Sequence, residues 1–158
     1  MISSVYDSPI GPLTLASNGA ALTQLEFENP KHPLPPVEPG DDKIIAQAKR
    51  ELDAYFKGKL KAFSVPVAPQ GTEFQRKAWA ALQKIPYGAT RTYGQQAAVI
   101  GSPAASRAVG AANGRNPVAV IIPCHRVIGS NGSLTGFGGG MERKKFLLDL
   151  EQGELLIR

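Results

Sequence analysis

Residues 116–128 read Asn-Pro-Val-Ala-Val-Ile-Ile-Pro-Cys-His-Arg-Val-Ile, an apolar run between two prolines that leads directly into a cysteine. The run Ala119–Ile122 predicts a short, fully buried strand, with Pro117 and Pro123 fixing its two ends. This strand would deliver Cys124 to its tip. Because Cys124 is the only cysteine in the chain, it cannot form an internal disulfide, and its thiol serves either packing or chemistry.

The residues around Cys124 favour chemistry. A lone cysteine is more often a small buried hydrophobe than a nucleophile. Here the next two residues are His125 and Arg126, and proton-accepting or cationic neighbours can lower the pKa of a thiol. Adjacent side chains on an extended backbone point to opposite faces, so His125 need not touch Cys124 and could act through a water.

Length and apolar content exclude several classes of protein. A chain of 158 residues can form one hydrophobic core of ordinary size or two small ones. It contains no apolar run long enough to span a bilayer, and Met1–Ser4 lacks the basic start and apolar segment of an export signal. Together with the single free thiol, these features predict a protein of the reducing cytoplasm.

The positive charge is concentrated in the C-terminal half of the chain. Before Gly71 there are seven basic and eight acidic residues, whereas from Gly71 onward there are eleven basic and five acidic residues. A basic half beside a nearly neutral half favours a module that binds a polyanion, although scattered lysines also occur as ordinary solvated surface.

The first part of the chain predicts a small α/β unit. Alternating apolar residues on both sides of Ser17-Asn18-Gly19 predict a β-hairpin. Five prolines within residues 29–40 exclude regular structure there. Apolar residues at helical spacing then predict a helix from Asp41 to Phe56 that starts at an aspartate cap and stops at Gly58.

The segment after this helix, which contains prolines and a glycine, predicts a domain boundary. We place an N-terminal α/β support domain at residues 1–65, a linker at 66–71 and a second domain at 72–158. His32 lies in the proline-rich loop without cysteine partners, so we expect a surface residue and not a metal ligand.

The second domain predicts a helix-turn-helix. Thr72–Gln75 fits a capping box for a first helix, in which Trp79 is expected to belong to the core. A second, short helix is predicted over Tyr93–Ile100, followed by the tight turn Gly101-Ser102. The serine caps a further helix that opens with Pro103.

The last helix of this motif carries an unusually small face. Its alanines and Gly110 leave Arg107 as the long side chain that stands out. A helix that reads bases in the major groove needs long polar side chains, whereas a small face can approach the backbone or the minor groove, where sequence is hardly read. The alternative is close packing inside the core. Arg107 argues against full burial, because an unpaired buried guanidinium is very costly.

Two further features follow the cysteine. Gly136–Gly140 predicts a flexible loop, and because its spacing is not that of a P-loop, we expect it to line a pocket. A closing helix is predicted over about 141–152, with Glu151 near its end. A carboxylate is unfavourable at that end of the helix dipole, and His125 is a partner that would explain it.

The motif Pro-Cys-His-Arg-Val at 123–127, with Asn116-Pro117 upstream and Gly136-Phe137-Gly138-Gly139 downstream, closely resembles the active-site signature of the O6-alkylguanine-DNA alkyltransferases, which repair DNA by direct reversal. The resemblance covers about residues 71–158 and is loose before them. It implies the α/β (α+β) fold class, with a small N-terminal α/β domain of the RNase H-like type. The C-terminal domain would be mostly helical and contain a winged helix-turn-helix.

The resemblance also implies catalytic roles. Cys124 would be the nucleophile, His125 the base that acts through a water, and Glu151 the carboxylate that orients the imidazole. Tyr93 would donate its phenolic proton toward N3 of the departing base. Asn116 would join the helix-turn-helix to the cysteine strand through hydrogen bonds.

Binding roles follow from the same resemblance. Arg107 would fill the place of the flipped base, and the other DNA-binding residues would be Ala105, Ser106, Ala108, Gly110 and Arg115. The carbonyls of Cys124 and Val127 would accept from the amine of guanine, in a substrate pocket lined by Val127, Phe137, Gly138 and Gly139. Phe137 and Gly138 replace a tyrosine and a serine of some relatives, so one hydroxyl contact would be missing and bulkier alkyl groups would be admitted.

The implied reaction is the irreversible transfer of the alkyl group from O6-alkylguanine, and from O4-alkylthymine, in duplex DNA to Cys124 after base flipping from the minor groove. The thioether product means that each molecule acts once. The implied partner is double-stranded DNA containing alkylated guanine. No metal or organic cofactor is implied. Relatives with a zinc site use cysteines and histidines of the first domain, and this chain has only His32 there. We expect a monomer, with cooperative binding on DNA left open.

Three alternatives remain. A binding-only relative that marks alkylated guanine would share the fold and Arg107, but such proteins lack the cysteine. A cysteine hydrolase using Cys124, His125 and Glu151 would turn over many times and would leave the small helix face unexplained. A winged-helix regulator would need longer side chains on that face and would prefer certain sequences.

Overall fold

The computed structural model describes residues 1–30, 32–132 and 140–153. Its first sheet contains β1 (Ile2–Ser8), β2 (Gly11–Ser17) and β3 (Leu22–Phe27), paired antiparallel in that order. β2 and β3 form the predicted hairpin, and the side chain of Asn18 holds its turn by accepting two backbone N–H groups. β1 was missing from the sequence prediction, because this strand is rich in polar residues and lacks a clear apolar alternation.

Helix α1 (Lys43–Phe56) packs against all three strands. Asp42 caps it by accepting the backbone N–H of Ile45 at 2.9 Å. The chain leaves the helix through Gly58, whose φ of 73° suits a glycine. The predicted helix and its end are therefore confirmed. Its buried face includes Tyr55, which is fully enclosed.

Helix α2 (Glu73–Leu82) opens the C-terminal part with the predicted capping box. The Thr72 hydroxyl accepts the Gln75 N–H, and the Gln75 side chain accepts the Thr72 N–H. Trp79 is 1% exposed, and its indole N–H donates to the carbonyl of Ala112 at 2.8 Å. Trp79 is thus a core residue, as predicted.

Helices α3 (Tyr93–Val99) and α4 (Ser106–Gly114) form the predicted helix-turn-helix, but the predicted start of the second helix was wrong. The N–H of Ser102 donates to the carbonyl of Ala97 at 2.9 Å and so closes the end of α3. The proline after it lies in a turn, and α4 begins later, with Ala105 as its N-cap. Ser102 is therefore occupied in ending one helix and does not start the next.

The strand predicted over Ala119–Ile122 is also wrong. Val118 makes one isolated bridge to Leu25, and the chain then turns tightly, with the N–H of Ile122 donating to the carbonyl of Val118 at 3.0 Å. Val120 adopts a φ of 69°, which is rare for a β-branched residue and incompatible with a strand. The apolar side chains are largely buried as predicted, but a turn and not a ladder inserts them into the core.

Cys124–Arg126 form a single 3₁₀ turn, called the cysteine turn below. It leads into β5 (Val127–Ile128), which pairs in parallel with β4 (Arg91–Thr92) just before α3. The last helix, α5 (Met141–Glu151), agrees with the prediction. Among the helices of the described residues, none is both long and apolar enough to cross a membrane.

Backbone hydrogen bonds join the two predicted domains. The N–H of Leu25 donates to Pro117, and the N–H of Ala119 donates back to Leu25. Leu22 bonds in the same way to the segment 66–68, which was predicted as a linker. One hydrophobic cluster contains side chains from both domains. The domain boundaries themselves stay a prediction.

Gly71 lies against the ring of Trp79, where the chain enters α2. A Cβ at Gly71 would lie 2.5 Å from the tryptophan Cη2 atom. Because this ring is buried, we expect Gly71→Ala to lower the free energy of unfolding by about 1–2 kcal/mol in a urea titration. The control is Gly114→Ala in α4, where the added methyl meets open space and should stabilise by up to about 1 kcal/mol. Equal stability of Gly71→Ala and the parent would contradict the close contact.

Candidate active site

Cys124 is the first residue of the cysteine turn and is 8% exposed. Burial raises the pKa of its thiol above the ordinary value, and the hydrogen bond with Asn116 and the charge of Lys144 offset this only in part. Neighbouring groups do lower the pKa, as the sequence suggested, but the groups are Asn116 and Lys144, and burial outweighs them. The thiol is therefore protonated at neutral pH, so a base must remove its proton before it can act as a thiolate.

His125 is fully buried beside Cys124, and its Nε2 atom lies 2.7 Å from Oε2 of Glu151. Burial lowers the pKa of His125 and outweighs the opposite effect of Glu151, so the imidazole is neutral. Because Glu151 is ionised, the proton of the neutral ring sits on Nε2 and is donated to the carboxylate. This leaves Nδ1 as a buried acceptor, and no group in the described residues donates to it. Nδ1 is thus the basic atom of the site.

The carboxylate of Glu151 is held ionised inside the protein. Burial alone would raise its pKa, but the hydrogen bonds from His125 and Arg126 and the charge of Arg126 lower it to about 2. Arg126 donates from Nε to Oε1 at 2.7 Å and from Nη2 to Oε2 at 3.0 Å. The third nitrogen of this guanidinium donates to the carbonyl of Ile85. Tyr55, from α1, also donates to Oε2, at 2.5 Å. The contact between His125 and Glu151 that the sequence suggested is therefore present, within a larger network.

Asn116 connects α4 to the turn that precedes Cys124. Its backbone N–H donates to the carbonyl of Asn113, at the end of α4. Its side-chain amide donates to the carbonyl of Ile122 at 2.7 Å, while its side-chain oxygen accepts the N–H of Val118 at 3.0 Å. These bonds fix both ends of the tight turn, and thereby the position of the cysteine relative to the helix-turn-helix.

Lys144 reaches into the same region from α5. Its side chain is 1% exposed, and its ammonium group donates to the carbonyl of Val127. Burial lowers the pKa of Lys144, and a negative charge on the sulfur of Cys124 would act in the opposite direction. The ammonium group therefore places positive charge close to both the sulfur of Cys124 and a backbone carbonyl.

The small face of α4 is exposed to solvent at one side of the site. Arg107, Ala108 and Arg115 are exposed, whereas Ala105, Ser106 and Gly110 are half-buried. The core-facing side of the helix is instead formed by Val109, Ala112 and Asn113. Gly110 lies against the ring of Tyr93, to which an added Cβ would come within 3.7 Å. The outer face is therefore available to a partner, as the position of Arg107 indicated.

A cavity of about 450 Å³ reaches Cys124 near the C-terminal end of α4. Its lining includes Arg115 and Asn116 from the second domain and His32 from the first. Arg115 thus lies at the opposite end of α4 from Arg107. Of the predicted pocket residues, Val127 is fully buried, and Phe137, Gly138 and Gly139 lie outside the described residues.

Two family models match the chain and together cover nearly all of it. The model described as "6-O-methylguanine DNA methyltransferase, ribonuclease-like domain" matches residues 1–69, and the corresponding "DNA binding domain" matches residues 73–153. The chain belongs to the 6-O-methylguanine DNA methyltransferase family.

Similar proteins include family members from archaea and bacteria. The chain is 51% identical over 153 residues to a methylated-DNA–protein-cysteine methyltransferase of Methanosarcina acetivorans, covering 96% of this chain and 98% of the relative. It is 52% identical over 147 residues to the protein of that name from Mycobacterium tuberculosis, covering 92% and 89%.

Solved structures of similar proteins resemble the structure of this chain. The crystal structure of Mycobacterium tuberculosis OGT in complex with DNA superposes with a TM-score of 0.91 at 49% identity, covering 98% of this chain and 94% of that one. An O6-methylguanine DNA methyltransferase from Methanococcus jannaschii gives a TM-score of 0.66 at 28% identity, covering 94% and 93%. The α/β fold class, with a ribonuclease-like first domain and a helical DNA-binding second domain, is therefore confirmed.

Three residues around Cys124 and Glu151 were not predicted as site residues from the sequence. Arg126 was noted only as a neighbour of the thiol, although a buried glutamate nearby requires a cation. Lys144 lies three, four and seven residues before Leu147, Leu148 and Glu151, so helical spacing could have placed it on the buried face of α5. Tyr55 gave no signal, because it lies 96 residues from its partner.

The lowered pKa of Glu151 leads to a prediction for stability in acid. The folded chain favours the ionised carboxylate, with a pKa of about 2 against an ordinary 4.5. The corresponding stabilisation, about 3 kcal/mol, is fully present above pH 4.5 and is lost as the pH falls through about 2. We expect Glu151→Gln to be less stable at pH 6 and to lose less stability than the parent between pH 5 and pH 3 in urea titrations. Exposed Glu73→Gln is the control, and equal slopes for Glu151→Gln and the parent would contradict the assignment.

Proposed function

We propose that the chain repairs DNA by transferring an alkyl group from O6 of guanine, and from O4 of thymine, in duplex DNA to Cys124. Each molecule would act once, after the target nucleotide has been flipped out through the minor groove. The observation that carries this proposal is a buried thiol followed directly by a histidine. The Nε2 atom of this histidine bonds to an ionised, buried glutamate, and its Nδ1 atom is therefore left as the basic atom.

Family membership supports the DNA alkyl-transfer activity itself. The relatives that the chain matches at about half identity are named methylated-DNA–protein-cysteine methyltransferases. The similar protein from Mycobacterium tuberculosis has been crystallised in complex with DNA. The alignments cover about nine-tenths or more of both chains, so the comparison extends to both domains.

The chemistry follows from the protonation states in the site. Nδ1 of His125 takes the proton of Cys124 through a water, and Glu151 stabilises the imidazolium that forms. The thiolate attacks the alkyl carbon in line, so that a carbon–sulfur bond forms while the bond from carbon to O6 breaks. The electron pair of that bond stays on guanine, and the phenolic proton of Tyr93 moves toward N3 and neutralises the leaving base.

Base recognition would use the backbone of the cysteine turn and of β5, which follows it. The carbonyls of Cys124 and Val127 are proposed to accept hydrogen bonds from the exocyclic amine of guanine. Lys144 donates to the second of these carbonyls and thereby orients it. Asn116 supports the same backbone through its bonds to Ile122 and Val118.

The exposed face of α4 would contact DNA around the lesion. Alanines and a glycine allow the helix to approach the minor groove closely without reading sequence, which suits a search for lesions in any sequence. Arg107 stands on this face and would occupy the place of the flipped nucleotide. Ala105, Ser106, Ala108, Gly110 and Arg115 would complete the contact surface.

Single turnover follows from the product. A thioether at Cys124 is not hydrolysed by acid–base groups such as His125 and Glu151. Intact mass measured after incubation with a duplex containing O6-methylguanine should show one added methyl group per protein molecule, and none for Cys124→Ser. Repeated turnover would favour a hydrolase, and tight binding without a mass increase would favour a binding-only protein.

The role of Arg107 can be tested by comparing duplex and single-stranded substrates. Flipping out of a duplex costs a few kcal/mol, so we expect Arg107→Ala to slow methyl transfer from duplex DNA by roughly tenfold or more. Transfer from a single strand, which has less stacking to disrupt, should change less. Arg76→Ala on α2 removes the same charge elsewhere and serves as the control. Equal slowing of Arg107→Ala on both substrates would point to general charge attraction instead.

A further inference from the structure

Tyr55 brings the first domain into direct contact with the catalytic carboxylate. It lies in the last turn of α1, is fully buried, and places its hydroxyl 2.5 Å from Oε2 of Glu151. This is the oxygen to which Nε2 of His125 donates. Burial and the nearby carboxylate raise the pKa of Tyr55 well above its ordinary value, so the phenol stays protonated and is the donor.

We propose that Tyr55 is a positioning residue for alkyl transfer, acting through Glu151 on His125. The inference rests on the function proposed above and assigns a part of the Cys124–His125–Glu151 network to the N-terminal domain. The hydroxyl of Tyr55 fixes the carboxylate and withdraws charge from Oε2. The imidazole is then oriented without being held as imidazolium before the reaction begins.

The packing around Tyr55 indicates that its hydroxyl is not needed to hold the ring. Phe56, Phe63 and Tyr87 surround it, with ring centroids 5.2, 5.2 and 6.3 Å away. These contacts would position a phenylalanine equally well. The hydroxyl instead makes one directed bond, to the carboxylate oxygen that also accepts from His125.

Among the described residues, charged and titratable groups reach this carboxylate and its histidine from several elements. They are Tyr55 from α1, Tyr87 after α2, Arg126 and the adjacent Cys124 from the cysteine turn, and Lys144 from α5. Removing the phenolic donor leaves more negative charge on Oε2, and this favours the protonated form of His125. The pKa of His125 should therefore rise.

Tyr55→Phe tests the proposal in the full-length chain. The single-turnover rate of methyl transfer from O6-methylguanine duplex would be measured across a pH series. Without the bond from Tyr55 the carboxylate is less firmly oriented and His125 is partly protonated, so transfer should slow by about tenfold at neutral pH, a part of the roughly 10²–10⁴-fold that a general base contributes. The acid limb of the profile should also move to higher pH, since transfer requires neutral His125.

Tyr6→Phe is the matched control, because it removes a phenolic hydroxyl from the same domain at the ring that stacks on Phe56. Its rate and pH profile should equal those of the parent. Urea titrations of both variants separate stability from rate, since a purely structural role would lower stability without moving the pH profile.

A double mutant distinguishes the route of the effect. If Tyr55 acts through the carboxylate, Tyr55→Phe should cause no further slowing in a Glu151→Gln background. A parent-like rate and pH profile for Tyr55→Phe, or equal slowing in both backgrounds, would overturn the inference. If the parent itself transfers no methyl group, the proposed function fails. If the parent is active and Tyr55→Phe behaves like it, only the role of Tyr55 fails.

Discussion

A carboxylate that is 6% exposed lies where α1, the cysteine turn and α5 meet, and it can remain charged there only because it is fully paired. Glu151 accepts two bonds from Arg126, one from His125 and one from Tyr55. An isolated charge at this depth would be prohibitively costly, so the buried carboxylate requires these donors. The same bonds that make the charge tolerable also join the two domains.

This network prepares the site without separating charge in advance. The opposite charges of Glu151 and Arg126 balance each other, and burial keeps both the thiol of Cys124 and the imidazole of His125 neutral. In the proposed reaction, charge appears only when the proton moves. The imidazolium then faces the carboxylate, and the thiolate faces the ammonium group of Lys144, so both new charges meet groups that are already in place.

The position of Cys124 depends on an unusual piece of backbone. Val120 has a positive φ, a conformation that costs about 1–3 kcal/mol for such a residue and persists only where the surroundings enforce it. Asn116 holds both sides of this turn, and the backbone of Leu25 in the first domain bonds to it as well. The result is a cysteine at the start of a 3₁₀ turn, close to the helix that is proposed to contact DNA.

The sequence by itself determined the local features of this protein. Capping residues and apolar spacing predicted α1 and α2, an Asn-Gly turn predicted the hairpin of β2 and β3, and a five-residue motif around Cys124 identified the family. These signals act within a few residues, so a single sequence displays them. Tertiary structure decided what local propensity could not: the turn at Val120 in place of a strand, the later start of α4, and the donors that gather on Glu151. The turn runs against the β preference of its own residues, and Tyr55 meets its partner across 96 residues. Both therefore depend on packing between the domains, which no local pattern in the chain records.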